Sequence, residues 1–124
     1  MNNFNKDQTG YETRTETIAT INRFRIPVTM LASAAQVPTA RVSDYVRGRS
    51  LTLARLKAIE EAVQKISFVW EVFSPYRIIL DTPELLEGAF ESAKTTHRNR
   101  TIATLEQQLG ELLKNGEGFQ EFRL

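Results

Sequence analysis

Arg41, Asp44, Arg47 and Arg49 crowd into one short stretch, TARVSDYVRGRS, residues 39–50. A guanidinium carries its N–H donors in a planar fork. That fork matches two acceptors on the major-groove edge of guanine, or the oxygens of a phosphate. A carboxylate among arginines has two uses: it accepts from a cytosine amino group, or it orients an arginine by an ion pair. Asp44 is expected to do the second, with Arg41 or Arg47. The chemistry on offer is therefore recognition of a nucleic acid, provided one surface presents these groups together.

A helix does so. Val42, Tyr45 and Val46 recur at helical spacing and predict a buried side. Thr39, Ala40, Arg41, Ser43, Asp44 and Arg47 then lie on the outer and flanking sides, with Arg41 as the candidate base reader. Arg49, Ser50, Arg55 and the start of the preceding helix near Thr29 are placed to hold phosphates. The local charge agrees. From Asn22 to Lys57 seven basic residues face only Asp44, whereas from Ala58 to Ala93 seven acids face only Lys65 and Arg77. A net charge of +1 thus conceals a basic part suited to a polyanion and an acidic part that would stay off it.

Other chemistries find little support. There is no Cys and a single His, at 97, so neither a thiol nucleophile nor a Cys-based zinc site is available. HRNR (97–100) is expected to be a solvated linker. No glycine-rich phosphate loop or nucleophile elbow occurs. The expectation is a protein that is not an enzyme and needs no cofactor. A polar N-terminus without an apolar signal core, and no apolar run of membrane length, point to a soluble, cytoplasmic chain.

The elements that must position the arginines are helical. A first helix begins near Thr13 or Thr15, turns Ile18, Ile21 and Phe24 inward, and ends before Pro27. Thr29–Ala35 predicts a second, with Met30, Leu31 and Ala34 or Ala35 inward. Pro38-Thr39 opens a third running to about Arg47, and Gly48 stops it. A fourth starts at Ser50 or Thr52 and carries Leu53, Leu56, Ile59, Val63 and Ile66 inward, on towards Trp70 and Phe73. Ser74-Pro75 breaks the pattern. YRIIL (76–80) has the composition of a strand but no visible partner. Asp81-Thr82-Pro83-Glu84 signals a further helix with Leu85, Leu86, Ala89, Phe90 and Ala93 on its apolar face. The polar stretch KTTHRNR follows it. Ile102, Leu105, Leu109, Leu112 and Leu113 mark a last amphipathic helix.

The second and third helices resemble the helix-turn-helix of the Cro and lambda-repressor-like family. Ala32 stands at the tight helix contact, Val37 in the turn, and Val42 and Val46 on the buried side of the recognition helix. RGRSLTLARLKAIEEAV (47–63) continues the likeness, which spans about Ile18 to Ile66. One position departs from the pattern: Gln36 occupies the turn where the family commonly has Gly. The resemblance implies an all-α fold and sequence-specific binding of double-stranded DNA, usually as a homodimer, in small phage or bacterial regulators.

The chain is accordingly divided into a flexible arm (1–12), a helix-turn-helix domain (13–73), a helical extension (74–116) and a tail (117–124). The expected function is transcriptional regulation, as a repressor or autoregulator. Helix 39–47 would read a short inverted repeat. Because one small domain reads few base pairs, two copies are needed. Ile102, Leu105, Leu109 and Leu112 are the candidate seam, with Phe68–Phe73 and the helix bearing Leu85, Leu86 and Phe90 as others. The alternative is a protein-binding module or inhibitor that reuses the scaffold, or a regulator whose C-terminal helices also engage a protein.

Overall fold

The computed structural model describes residues 13–99, 107, 109–111 and 121–123. The chain is mostly helical: α1 (Thr13–Phe24), α2 (Val28–Ala35), α3 (Thr39–Val46), α4 (Leu53–Val72), a short strand β1 (Tyr76–Ile78), α5 (Pro83–Asn99) and a second strand β2 (Glu121–Arg123).

The first three helices end alike. Ile26 N–H donates to Ile21 O (3.0 Å) and Arg25 N–H to Asn22 O (3.3 Å); Val37 and Gln36 repeat the pattern on Ala32 and Ser33, and Arg49 and Gly48 on Asp44 and Tyr45. Each pair satisfies carbonyls that a helix end leaves orphaned, and each needs one residue in the left-handed region. Those residues are Arg25 (φ 56°), Gln36 (φ 58°) and Gly48 (φ 79°). Only Gly48 adopts that conformation freely. The Gln36 side chain is exposed, so Gln36→Gly is expected to raise stability by about 0.5–1 kcal/mol, read as a higher urea midpoint with an unchanged slope.

Starts are equally local. Thr52 accepts from Arg55 N–H (3.3 Å) and opens α4. Thr82 accepts from Leu85 N–H (3.1 Å) and opens α5, with Pro83 in the first turn where no donor is required.

Leu31, Val42, Tyr45, Ile59, Val63 and Ile66 are fully or almost fully buried, as are Val69, Phe73, Ile78, Leu80, Ala89 and Ala93. All belong to one continuous cluster. The division at residue 74 is therefore not a boundary between cores: the long α4 packs against α1, α2 and α3 and against α5 as well. The Trp70 region, a candidate dimer seam, is used within the chain. Trp70 is buried and its Nε1–H donates to Ile78 O (2.9 Å). Ala34 and Ala35 of α2, Ala58 and Ala62 of α4 and Leu86 of α5 line the cleft where three helices meet. Small residues there let the backbones approach.

Four expectations need correction. YRIIL has a partner after all: Tyr76, Arg77 and Ile78 pair antiparallel with Arg123, Phe122 and Glu121, so the tail supplies the second strand. HRNR is not a linker as far as Asn99: its first three residues end α5, and His97 meets the Phe68 ring edge-on at 5.5 Å. Leu53, expected inward, is 54% exposed in the first turn of α4. Leu109, assigned to a dimer seam, is buried against the chain's own core, while Ile102, Leu105 and Leu112 lie outside the described residues. So do the arm, 1–12, and most of the tail.

Candidate nucleic-acid interface

The outer side of α3 is built by what its inner side must bury. Val42 and Tyr45 are sealed in the core, which turns Thr39, Ala40 and Arg47 to solvent and leaves Arg41, Ser43 and Asp44 half-buried on the flanks. Arg49 and Ser50 are exposed in the loop that follows, Arg55 in the first turn of α4, and Thr29 in the first turn of α2. Both α2 and α3 begin after a proline, Pro27 and Pro38, and neither start is capped by a side chain. Their first N–H groups remain available to an anion.

Asp44 orients two arginines. Its Oδ2 lies 3.1 Å from Arg41 Nη2 and its Oδ1 lies 3.4 Å from Arg49 Nη1. Arg49 thus takes the place expected for Arg47. Asp44 is only 14% exposed at its side chain, against 39% for Arg41 and 63% for Arg49. The carboxylate sits beneath and the guanidiniums project.

What holds α3 in place comes from residues outside the expected set. Arg14, in the first turn of α1, donates from Nε to Tyr45 O (3.0 Å) and from Nη2 to Asp44 O (3.1 Å) and to Arg49 O. Its guanidinium also lies 4.6 Å from the centre of the Tyr45 ring. A cation here meets the negative end of the α3 dipole and satisfies carbonyls at the helix end. One side chain therefore ties α1 to the loop that carries Arg49. The signal was in the spacing: Arg14, Thr17 and Ile21 share one face of α1, and Thr17 and Ile21 are buried.

Behind Tyr45 lies a buried polar relay. Tyr45 O–H donates to Glu60 Oε2 at 2.8 Å, and the Thr17 hydroxyl hydrogen-bonds the same phenol. Burial pushes the Tyr45 phenol far above its usual range; the Thr17 bond opposes this and neighbouring Glu60 adds to it. The phenol stays a neutral donor. Burial also raises the Glu60 carboxyl above the usual carboxylate range, against the opposing pull of the Tyr45 hydrogen bond and the Arg14 charge. Glu60 was counted among the acids that keep the second half of the chain off phosphate; it faces the core instead.

The sign of that shift yields a pH prediction. A carboxyl raised on folding contributes stability below its unfolded value, and the contribution fades as pH rises through the folded value. Glu60→Gln keeps an acceptor for Tyr45 without the buried charge. The stability of Glu60→Gln relative to the parent is expected to grow from about pH 4 to pH 7. A difference that stays constant across parallel urea titrations would overturn this.

Among the described residues, no three His, Cys, Asp or Glu side chains are grouped to hold a metal ion, and no helix is long and apolar enough to cross a membrane. No protein-family model matches the chain, and no curated protein or solved structure matches it.

Proposed function

We propose that this chain is a sequence-specific DNA-binding transcriptional regulator of the Cro and lambda-repressor-like helix-turn-helix type, with α3 as its recognition helix. The carrying observation is the α3 surface itself. Exposed Thr39, Ala40 and Arg47 and flanking Arg41 and Ser43 stand opposite a buried Val42–Tyr45 side, next to two helix starts with no side-chain cap. A short polar helix with projecting guanidiniums fits the major groove, and free N–H groups at helix starts suit the flanking phosphates.

In this reading Arg41, pre-oriented by Asp44, reads a base. Thr29, Arg49, Ser50 and Arg55 contact the backbone and set the docking angle. Arg14 and the Tyr45–Glu60 bond position α3 without touching DNA. Two copies act on an inverted repeat, because one helix of this length reads few base pairs. Repression or autoregulation follows if the repeat overlaps a promoter.

Selection from random duplex DNA, followed by titration of the winner at two salt concentrations, tests the reading. An enriched palindrome bound in a salt-dependent manner supports it. No enrichment, with weak binding at low salt only, would overturn it in favour of a protein-docking module on the same scaffold. Arg49→Ala is expected to weaken binding to all sequences alike and to flatten the salt slope by about one.

A further inference from the structure

A second basic cluster lies where α1 ends and the chain leaves α4. Arg23, Phe24, Trp70, Glu71, Ser74 and Arg77 are among the residues around a cavity of about 330 Å³, within the range of small-molecule sites. Two guanidiniums there are backed by rings: Arg23 lies 4.8 Å from the centre of Phe24, and Arg77 lies 4.8 Å from the centre of Trp70. Arg77 Nη1 also donates to the Phe24 carbonyl oxygen. The Arg77 fork is thereby held before any ligand arrives, which lowers the entropy lost on binding, while Arg23 rests on its neighbouring ring.

The charge at this place is unbalanced. Among the described residues no carboxylate comes within ion-pair distance of Arg23, Arg25 or Arg77. Burial, and then the nearby Arg25 charge, lower the Arg77 pKa below its ordinary value. Among the described residues Glu71 is the one acid on the cavity wall. Arg23 and Arg77 on the wall, with Arg25 near enough to act on Arg77, outweigh that glutamate and suit a phosphate monoester, which carries about −1.5 to −2 at neutral pH. Glu71 repels a phosphate beside it but accepts a hydroxyl.

We propose that this cavity binds a small hydroxylated organic phosphate, with the phosphate on Arg23 and Arg77 and a hydroxyl on Glu71. The site does not depend on the reading of α3.

Trp70 is the sole tryptophan and its ring faces the Arg77 guanidinium, so its fluorescence reports occupancy. The full chain is titrated with ribose 5-phosphate at fixed ionic strength, with ribose as control. The expected result is a saturable change with a dissociation constant on the order of 1 mM, and none with ribose. Arg23 is exposed and is not part of the core, so Arg23→Gln preserves folding and is expected to weaken binding about tenfold. Glu71→Gln is expected to weaken ribose 5-phosphate while tightening inorganic phosphate. No saturable response up to about 10 mM, or a response that Arg23→Gln leaves unchanged, overturns the proposal. A flat titration together with a reduced salt slope of duplex binding in Arg23→Gln also overturns it, and assigns these arginines to the DNA backbone. The titration contains no DNA, so its failure leaves the α3 proposal standing.

Discussion

Tyr45→Phe is expected to lower stability by about 1–3 kcal/mol, a large loss for one oxygen atom. The ring stays, and with it the apolar packing and the Arg14 contact. What disappears is the donor to Glu60, 2.8 Å away and buried. A buried carboxylate without its donor bears the desolvation cost alone. Glu60→Leu alone is expected to cost a similar amount, since the phenol then lacks its acceptor. The double variant Tyr45→Phe, Glu60→Leu should recover most of the loss, because an apolar pair of similar volume replaces the polar pair. Urea unfolding of the four proteins gives the coupling directly. A coupling of about 1–2 kcal/mol is expected; strictly additive losses would show that the bond contributes nothing of its own.

The same cycle tests whether this bond sets the docking angle. Tyr45 lies in the last turn of α3, and Glu60 in the long helix that braces it. If the bond positions the recognition helix, Tyr45→Phe weakens specific DNA binding more than non-specific binding, at a temperature where both proteins are fully folded. A purely structural bond leaves that ratio alone.

The parts of this architecture that were legible in the sequence are those governed by neighbouring residues. Proline before α2 and α3, Thr52 before α4, Thr82-Pro83 before α5 and Gly48 after α3 act within a turn, and apolar spacing marked Val42, Ile59, Val63 and Ile66 as buried. Gln36 stood out because the family that the turn resembles commonly has Gly there, and its left-handed backbone is the physical reason. Long-range relations were hidden. β1 pairs with residues more than forty positions away, and neither segment specifies the other by its own pattern. Spacing puts Arg14 on the buried face of α1, but nothing near it in sequence says that the end of α3 is its partner. Glu60 reads as surface acid because burial of a carboxylate depends on a phenol supplied by another helix. The polar end of α5 reads as a linker because its residues are polar in type, and only the packed fold shows Thr96 buried and His97 against the Phe68 ring.

If α3 reads DNA as proposed, Arg41→Ala is expected to weaken operator binding by about 1–3 kcal/mol and to relax preference at one base position. The geometry explains why so much should rest on one side chain. Arg41 sits in the first turn of α3, the end that enters a groove first in this kind of docking. Its ion pair with Asp44, 3.1 Å long and between neighbours on one helix face, restricts a flexible side chain before DNA arrives. Asp44→Ala should therefore act in two directions. Removing a negative charge near the phosphates strengthens binding to any duplex, while freeing Arg41 weakens discrimination between sequences. The ratio of specific to non-specific affinity falls in both variants, but overall affinity falls only in Arg41→Ala. If Arg41→Ala instead weakens every duplex equally and flattens the salt slope, Arg41 is a phosphate contact. The base reader must then be sought at Thr39, Ser43 or Arg47 on the same surface.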